Sequence, residues 1–254
     1  MKLTRLCLIL AASLLAGAAH ASASAFANNP TGNSTDWANQ ITSLGGVIDT
    51  SINFETHPLG VLQPGFYAGH GVNMVLSGSG FSFNAVYDYR NNYDGTVSGY
   101  GPNSPGEGVA AESRAFSAFN PNGSWSLTLN FDQAVLGAGL FVIDLFNGQG
   151  DRTVTLSAYD GINGTGNLLT TAIAPSYNYQ LYNKLFLGVA NDSAAPSIRS
   201  VVFTNPFPKY GDGIALDDIR VAAVPEPETW AMLLVGLGLV SLKLRRTASH
   251  AIHL

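Results

Sequence analysis

Ser124-Trp125-Ser126-Leu127-Thr128-Leu129-Asn130-Phe131 sets a large apolar side chain at every second position and a polar one between. A period of two marks a β-strand with one face buried and the other in water. Val154-Thr155-Leu156-Ser157-Ala158-Tyr159 repeats the pattern. Outward from these two segments, short apolar or alternating runs separated by Gly, Asn, Asp and Pro fill the chain from Ile48 onward, the signature of strands and turns. They predict strands at residues 52–55, 72–77, 81–87, 110–116, 124–131, 136–144, 153–159, 168–173, 184–189, 198–204 and 214–221. Residues 160–167, rich in Gly and Asn, supply the positive φ angles that a hairpin connection needs. With no long amphipathic helix and no internal repeat, the expectation is an all-β domain of about ten strands, a two-sheet β-sandwich or jelly roll.

The two ends follow other rules. Lys2 and Arg5 precede an apolar run from Leu6 to Ala19, and three Ala-x-Ala sequences follow, ending at Ala21, Ala23 and Ala25. That order is a secretory signal peptide, which implies the Sec translocon and signal peptidase as partners. The run is short for a membrane anchor. Cys7, the one cysteine, leaves with it, so disulfides, thiol catalysis and cysteine-held metals are excluded from the mature chain. Between Phe26 and Ala222, seven Lys/Arg stand against fifteen Asp/Glu, a net charge of −8. Such a body is a poor partner for nucleic acid, which needs a basic surface.

Near the C-terminus, Val224-Pro225-Glu226-Pro227-Glu228 breaks any regular element, because proline fixes its own φ and restricts its predecessor. Thr229 to Leu242 is a run of 14 uncharged, mostly apolar residues led by Trp230, and Lys243, Arg245 and Arg246 follow it. An indole favours the membrane interface, and positive charge beyond an apolar segment stays cytoplasmic. The reading is a short C-terminal transmembrane helix that holds the body on the outer face of the inner membrane. The predicted plan is 1–23 signal peptide (a signal helix), 24–47 loose leader with one possible helical turn near Trp37, and 48–222 β-sandwich. Then come 223–228 linker, 229–246 membrane helix with its basic cluster, and 247–254 tail.

The ordered trio of Pro-Glu-Pro, aromatic-led apolar run and Arg cluster resembles the PEP-CTERM sorting signal of Gram-negative bacteria, a tail also called the ice-binding protein C-terminal domain. That second label describes the tail alone and says nothing of ice. The resemblance implies export, transient anchoring, cleavage near Pro225-Glu226-Pro227 by an exosortase, and delivery to the exopolysaccharide or cell surface. The eight residues after Arg246 depart from the family, which usually stops soon after the Arg cluster.

A second resemblance covers the body. Asn53-Phe54-Glu55, the segment from Thr153 to Leu169, Phe186-Leu187-Gly188-Val189, Ile198 to Phe203 and Gly211 to Ile219 occur in the order of the jelly-roll domains of such proteins. Those domains are related in shape to carbohydrate-binding modules. In the last strand, strict alternation sends Ile214 and Leu216 to one face but Ile219 and Val221 to the other. A bulge at Asp217-Asp218 would restore all four to the core and turn a carboxylate inward. Such a carboxylate needs a partner. Two partners stay open: backbone N–H groups, or a structural Ca²⁺ held by Glu55, Asp217 and Asp218, as analogues of the family imply.

Tyr89, Arg90, Tyr93 and Tyr100, or Tyr177, Tyr179 and Tyr182, are candidate glycan-stacking sets; the same rings also suit fastening loops to the sandwich. Residues 88–95 are dense in oxygen donors without EF-hand spacing. Catalytic motifs are absent: His57 and His70 form no zinc motif, and no nucleophile elbow or P-loop occurs. Glu107 and Glu112 are the nearest approach to a glycosidase pair. The functional expectation is a non-enzymatic, exported extracellular-matrix protein acting in exopolysaccharide or biofilm association. The alternatives are a carbohydrate-binding module for a specific glycan and, more remotely, a secreted hydrolase.

Overall fold

A computed structural model describes residues 22–28, 32–81, 83–88, 114–120, 123–143, 153–175, 184–206, 214–225 and 235–237. Its strands are β1 (Ala23–Asn28), β2 (Val47–Ile52), β3 (Gly60–Val61), β4 (Val72–Ser77), β5 (Phe83–Asp88), β6 (Arg114–Phe119) and β7 (Trp125–Val135). The others are β8 (Gly137–Ile143), β9 (Thr153–Tyr159), β10 (Leu168–Pro175), β11 (Lys184–Asn191), β12 (Ile198–Asn205) and β13 (Ile214–Ala223). One helix, α1 (Gly32–Ser43), precedes β2. The larger sheet runs β1-β11-β8-β13-β6-β5-β3, with β2 also paired to β13; the smaller runs β10-β9-β12-β7-β4.

The alternation that predicted the fold is what closes it. Trp125, Leu127, Leu129 and Phe131 of β7 point inward, as do Val154, Leu156 and Ala158 of β9. They meet Leu140 and Val142 of β8, Leu187 and Val189 of β11, and Leu216 and Ile219 of β13 in one core between the sheets. Burial of side chains this size supplies about 1.5–3 kcal/mol each, the main force in a domain without disulfides. The all-β, two-sheet expectation therefore holds, and every strand predicted from residue 72 onward overlaps an observed one.

The N-terminal region departs from expectation. The stretch 24–47 is no loose leader: β1 forms an edge of the larger sheet against β11, and α1 covers that sheet's outer face. Trp37 and Ile41, one helical turn apart, are fully buried with Leu136, Phe141, Phe186 and Ala222 in a second core. Glycines on the strands make the room. A Cβ on Gly137 would stand 2.7 Å from Ile41 and 3.1 Å from the indole nitrogen of Trp37, and one on Gly188 would stand 2.9 Å from Trp37. The indole N–H donates to the Val189 carbonyl at 3.0 Å.

The predicted strand 52–55 is also displaced. β2 ends at Ile52, and a turn follows in which Phe54 takes φ 60° while its ring is fully buried. The core contact offsets the cost of a left-handed backbone at a bulky residue. Among the described residues, no helix is long and apolar enough to cross a membrane. Of the predicted signal helix only Ser22 and Ala23 lie among them, and Ala23 is extended as the start of β1. Nearly all of the predicted C-terminal transmembrane helix lies outside them, and within it residues 235–237 are helical and exposed.

Candidate functional site

The last strand carries the bulge its sequence demands. Asp217 lies opposite Phe141 while Arg220 lies opposite Gly139, so β13 holds one residue more than β8 across that interval. Asp218 absorbs the irregularity with φ 48°. Ile214, Leu216, Ile219 and Val221 consequently all face the same core, and two carboxylates are left in the sheet, with Asp217 fully buried.

Each carboxylate is engaged by the protein. Asp217 accepts from the Asp218 amide at 2.7 Å. Asp218 accepts from the Ser51 hydroxyl at 2.9 Å and pairs with the Arg220 guanidinium. That guanidinium also sits 5.4 Å from the centre of the Phe141 ring. Glu55 accepts from the Arg114 amide, and the Arg114 side chain donates to the carbonyls of Glu55 and His57 at 2.9 and 2.8 Å. Among the described residues, no three His, Cys, Asp or Glu side chains come together to hold a metal ion. Ca²⁺ takes ~6–8 oxygen ligands, and Glu55, Asp217 and Asp218 already accept from the protein donors named above. At Asp217 one of the expected partners, a backbone N–H, is present.

The aromatic turn beside this cluster is structural. His57 is fully buried. Its Nδ1 lies 2.6 Å from the Pro58 carbonyl and its Nε2 accepts from the Gln63 amide. Those partners assign a neutral, Nδ1-protonated ring, with neither nitrogen free for acid–base work. Tyr67 packs edge-on against Phe54 and Phe66. Its hydroxyl is buried with no hydrogen-bond partner among the described residues. Burial, and secondarily the charge of Asp217, push this phenol well above the usual tyrosine range.

The smaller sheet presents a different surface. Registers across its five strands align Thr171, Ser157, Val202, Thr128 and Val75 in one row, and Ile173, Thr155, Thr204, Ser126 and Ser77 in the next. Neither row holds an ionisable side chain, in a body of net charge −8. At one end the 160–167 hairpin is tied across β7 and β12. Asn163 and Asn130 share two hydrogen bonds, at 2.8 and 2.6 Å, and Ser200 donates to the Gly161 carbonyl. These hydroxyl and methyl rows escaped the sequence reading, although the clue was present. The outward positions of the two opening segments are Ser, Thr, Asn and Tyr, never a charge.

The candidate glycan residues Tyr89, Arg90, Tyr93, Tyr100, Tyr177, Tyr179 and Tyr182 lie outside the described residues, as do Glu107 and Glu112. So do Glu226, Pro227, Trp230, Lys243, Arg245 and Arg246. What is described is the point of departure of the tail. Ala223, the last residue of β13, pairs with Val47, Val224 packs against the second core, and Pro225 follows at once.

Residues 223–246 match the PEP-CTERM protein-sorting motif. The motif thus begins on the last residue of the sheet, with no spacer between fold and signal. No curated protein matches the chain in sequence. Among solved structures, TmCBM61 in complex with β-1,4-galactotriose is similar at TM-score 0.41 and 14% identity, over 66% of this chain and 92% of that one. The K3 cleaved adhesin domain of Lys-gingipain from Porphyromonas gingivalis gives 0.37 and 12%, over 70% and 99%. The Stig cyclase Fisc from Fischerella sp. TAU gives 0.43 and 15%, over 71% and 100%. Likenesses this distant carry no function to this chain.

Proposed function

We propose that this chain is an exported surface protein that an exosortase sorts and cuts at Pro225-Glu226-Pro227, and that its non-catalytic sandwich associates with exopolysaccharide. The sorting motif at 223–246 carries the reading. Its 14 uncharged residues are short of the ~20 that a stable helical span needs, as suits a temporary anchor. The Lys243, Arg245 and Arg246 cluster then stays cytoplasmic and leaves the body outside the inner membrane. The neutral hydroxyl rows of the smaller sheet suit an uncharged polymer rich in hydroxyl groups.

The test is expression of the full chain in a host with and without its exosortase. With the enzyme, the protein is expected in the surface or medium fraction, shortened near Pro225. Without it, the protein is expected in the membrane fraction with Arg246 retained. Identical mass and location in both hosts would overturn the reading.

A further inference from the structure

The Ala-x-Ala sequences that end at Ala21, Ala23 and Ala25 offer signal peptidase equivalent small residues, but the sheet does not treat them as equivalent. β1 pairs with β11 from Ala23 opposite Asn191 to Asn28 opposite Phe186. The bonding extends one residue further back: the Asp192 amide donates to the Ser22 carbonyl at 3.0 Å. The Ser24 hydroxyl donates to the Asp192 carboxylate at 2.6 Å. Phe26 packs against the second core and Ala27 against the first. A cut after Ala23 discards the Ser22 carbonyl, and a cut after Ala25 also discards the Ser24 hydroxyl and three of the paired residues. Of these three cuts, the one after Ala21 keeps the bonded strand whole. It also creates an α-ammonium at Ser22, the residue whose own carbonyl accepts from the Asp192 amide.

The other end is bounded in the same way, because Ala223 and Val224 belong to the fold. The two ends are neighbours. The Leu136 amide donates to the Ala222 carbonyl, the Asn191 amide to the Leu136 carbonyl and the Asp192 amide to the Ser22 carbonyl, at 2.8, 2.8 and 3.0 Å. Ser22 and Ala222 therefore lie on one end of the sheet, three strand spacings or roughly 14 Å apart.

We propose that the sheet fixes both ends of the mature chain at this one edge. Signal cleavage follows Ala21, and tail cleavage falls on the C-terminal side of Val224. This rests on the processing reading above. N-terminal sequencing and intact mass of the released protein test it. A chain that starts at Ser22 and ends at or beyond Val224 is expected. A start at Ser24 or Phe26, or an end before Val224, overturns this proposal but leaves the processing reading intact. A chain with neither end cut defeats both. Ala19→Glu spoils only the first cleavage sequence and forces a later cut. The shortened product is expected to melt about 2–4 °C lower for each kcal/mol of edge bonding lost. An unchanged melting temperature would remove the physical reason for choosing Ala21.

Discussion

At the scale of single residues, the sequence announced the bulge but not its surroundings. Ile214 and Leu216 are out of step with Ile219 and Val221, and one extra residue is the simplest repair, so Asp217-Asp218 could be read from the pattern alone. Phe54 could not. A left-handed φ at phenylalanine has no local signal, because its cause is the pocket formed by Tyr67 and Phe116. Tyr67 also supports a prediction. Its hydroxyl is buried without a partner among the described residues, and a lost partner costs ~1–3 kcal/mol. Tyr67→Phe is therefore expected to raise stability by about 1 kcal/mol, measured by chemical unfolding. The pH dependence follows from the raised phenol. Below about pH 10 both folded and unfolded chains hold the proton; above it the unfolded chain loses its proton first. Stability should fall as pH rises past that point, and Tyr67→Phe should blunt the fall. A Phe variant less stable than the parent at neutral pH would show that the hydroxyl has a partner.

At the scale of elements, strands were legible wherever the outer face stayed wet, as in β7, β9 and β12. The alternation is erased in β8, where all seven residues are buried: the second face is covered by the cluster that includes α1 at Phe141 and by Ala115 and Ala215 at Ile143. α1 itself was nearly invisible. Its 12 residues bury only Trp37 and Ile41 completely, and the groove that receives them is cut by Gly137 and Gly188, far away in sequence. β1 was hidden for another reason: its small residues read as a continuation of the signal-cleavage region. The seating of α1 can be tested from both sides. Trp37→Ala should cost about 3–5 kcal/mol. Gly188→Ala, which forces a Cβ to 2.6 Å from Phe186 and 2.9 Å from Trp37, should cost about 1–3 kcal/mol. Denaturant unfolding measures both. If the double variant loses no less than the sum of the two singles, the helix is not seated through that contact.

At the scale of the whole molecule, the sequence gives strand positions but not their order, because pairing joins segments such as β1 and β11 that are distant in the chain. The neutral rows of the smaller sheet arise only from that order, since they bring outward positions of five separate strands into line. Two rows without charges inside a body of net −8 suit contact by hydroxyl hydrogen bonds and methyl packing rather than by ion pairing. If the proposed association holds, binding of the mature protein to a neutral polysaccharide should persist as salt is raised, since screening acts on charges. Ser157→Lys with Thr204→Lys sets two long cations on adjacent rows. Both sites are part-exposed, so the fold should lose no more than about 1 kcal/mol per site, while sedimentation with the polymer should fall at least tenfold. Binding that vanishes in salt, or that survives the double substitution, would move the contact away from this face.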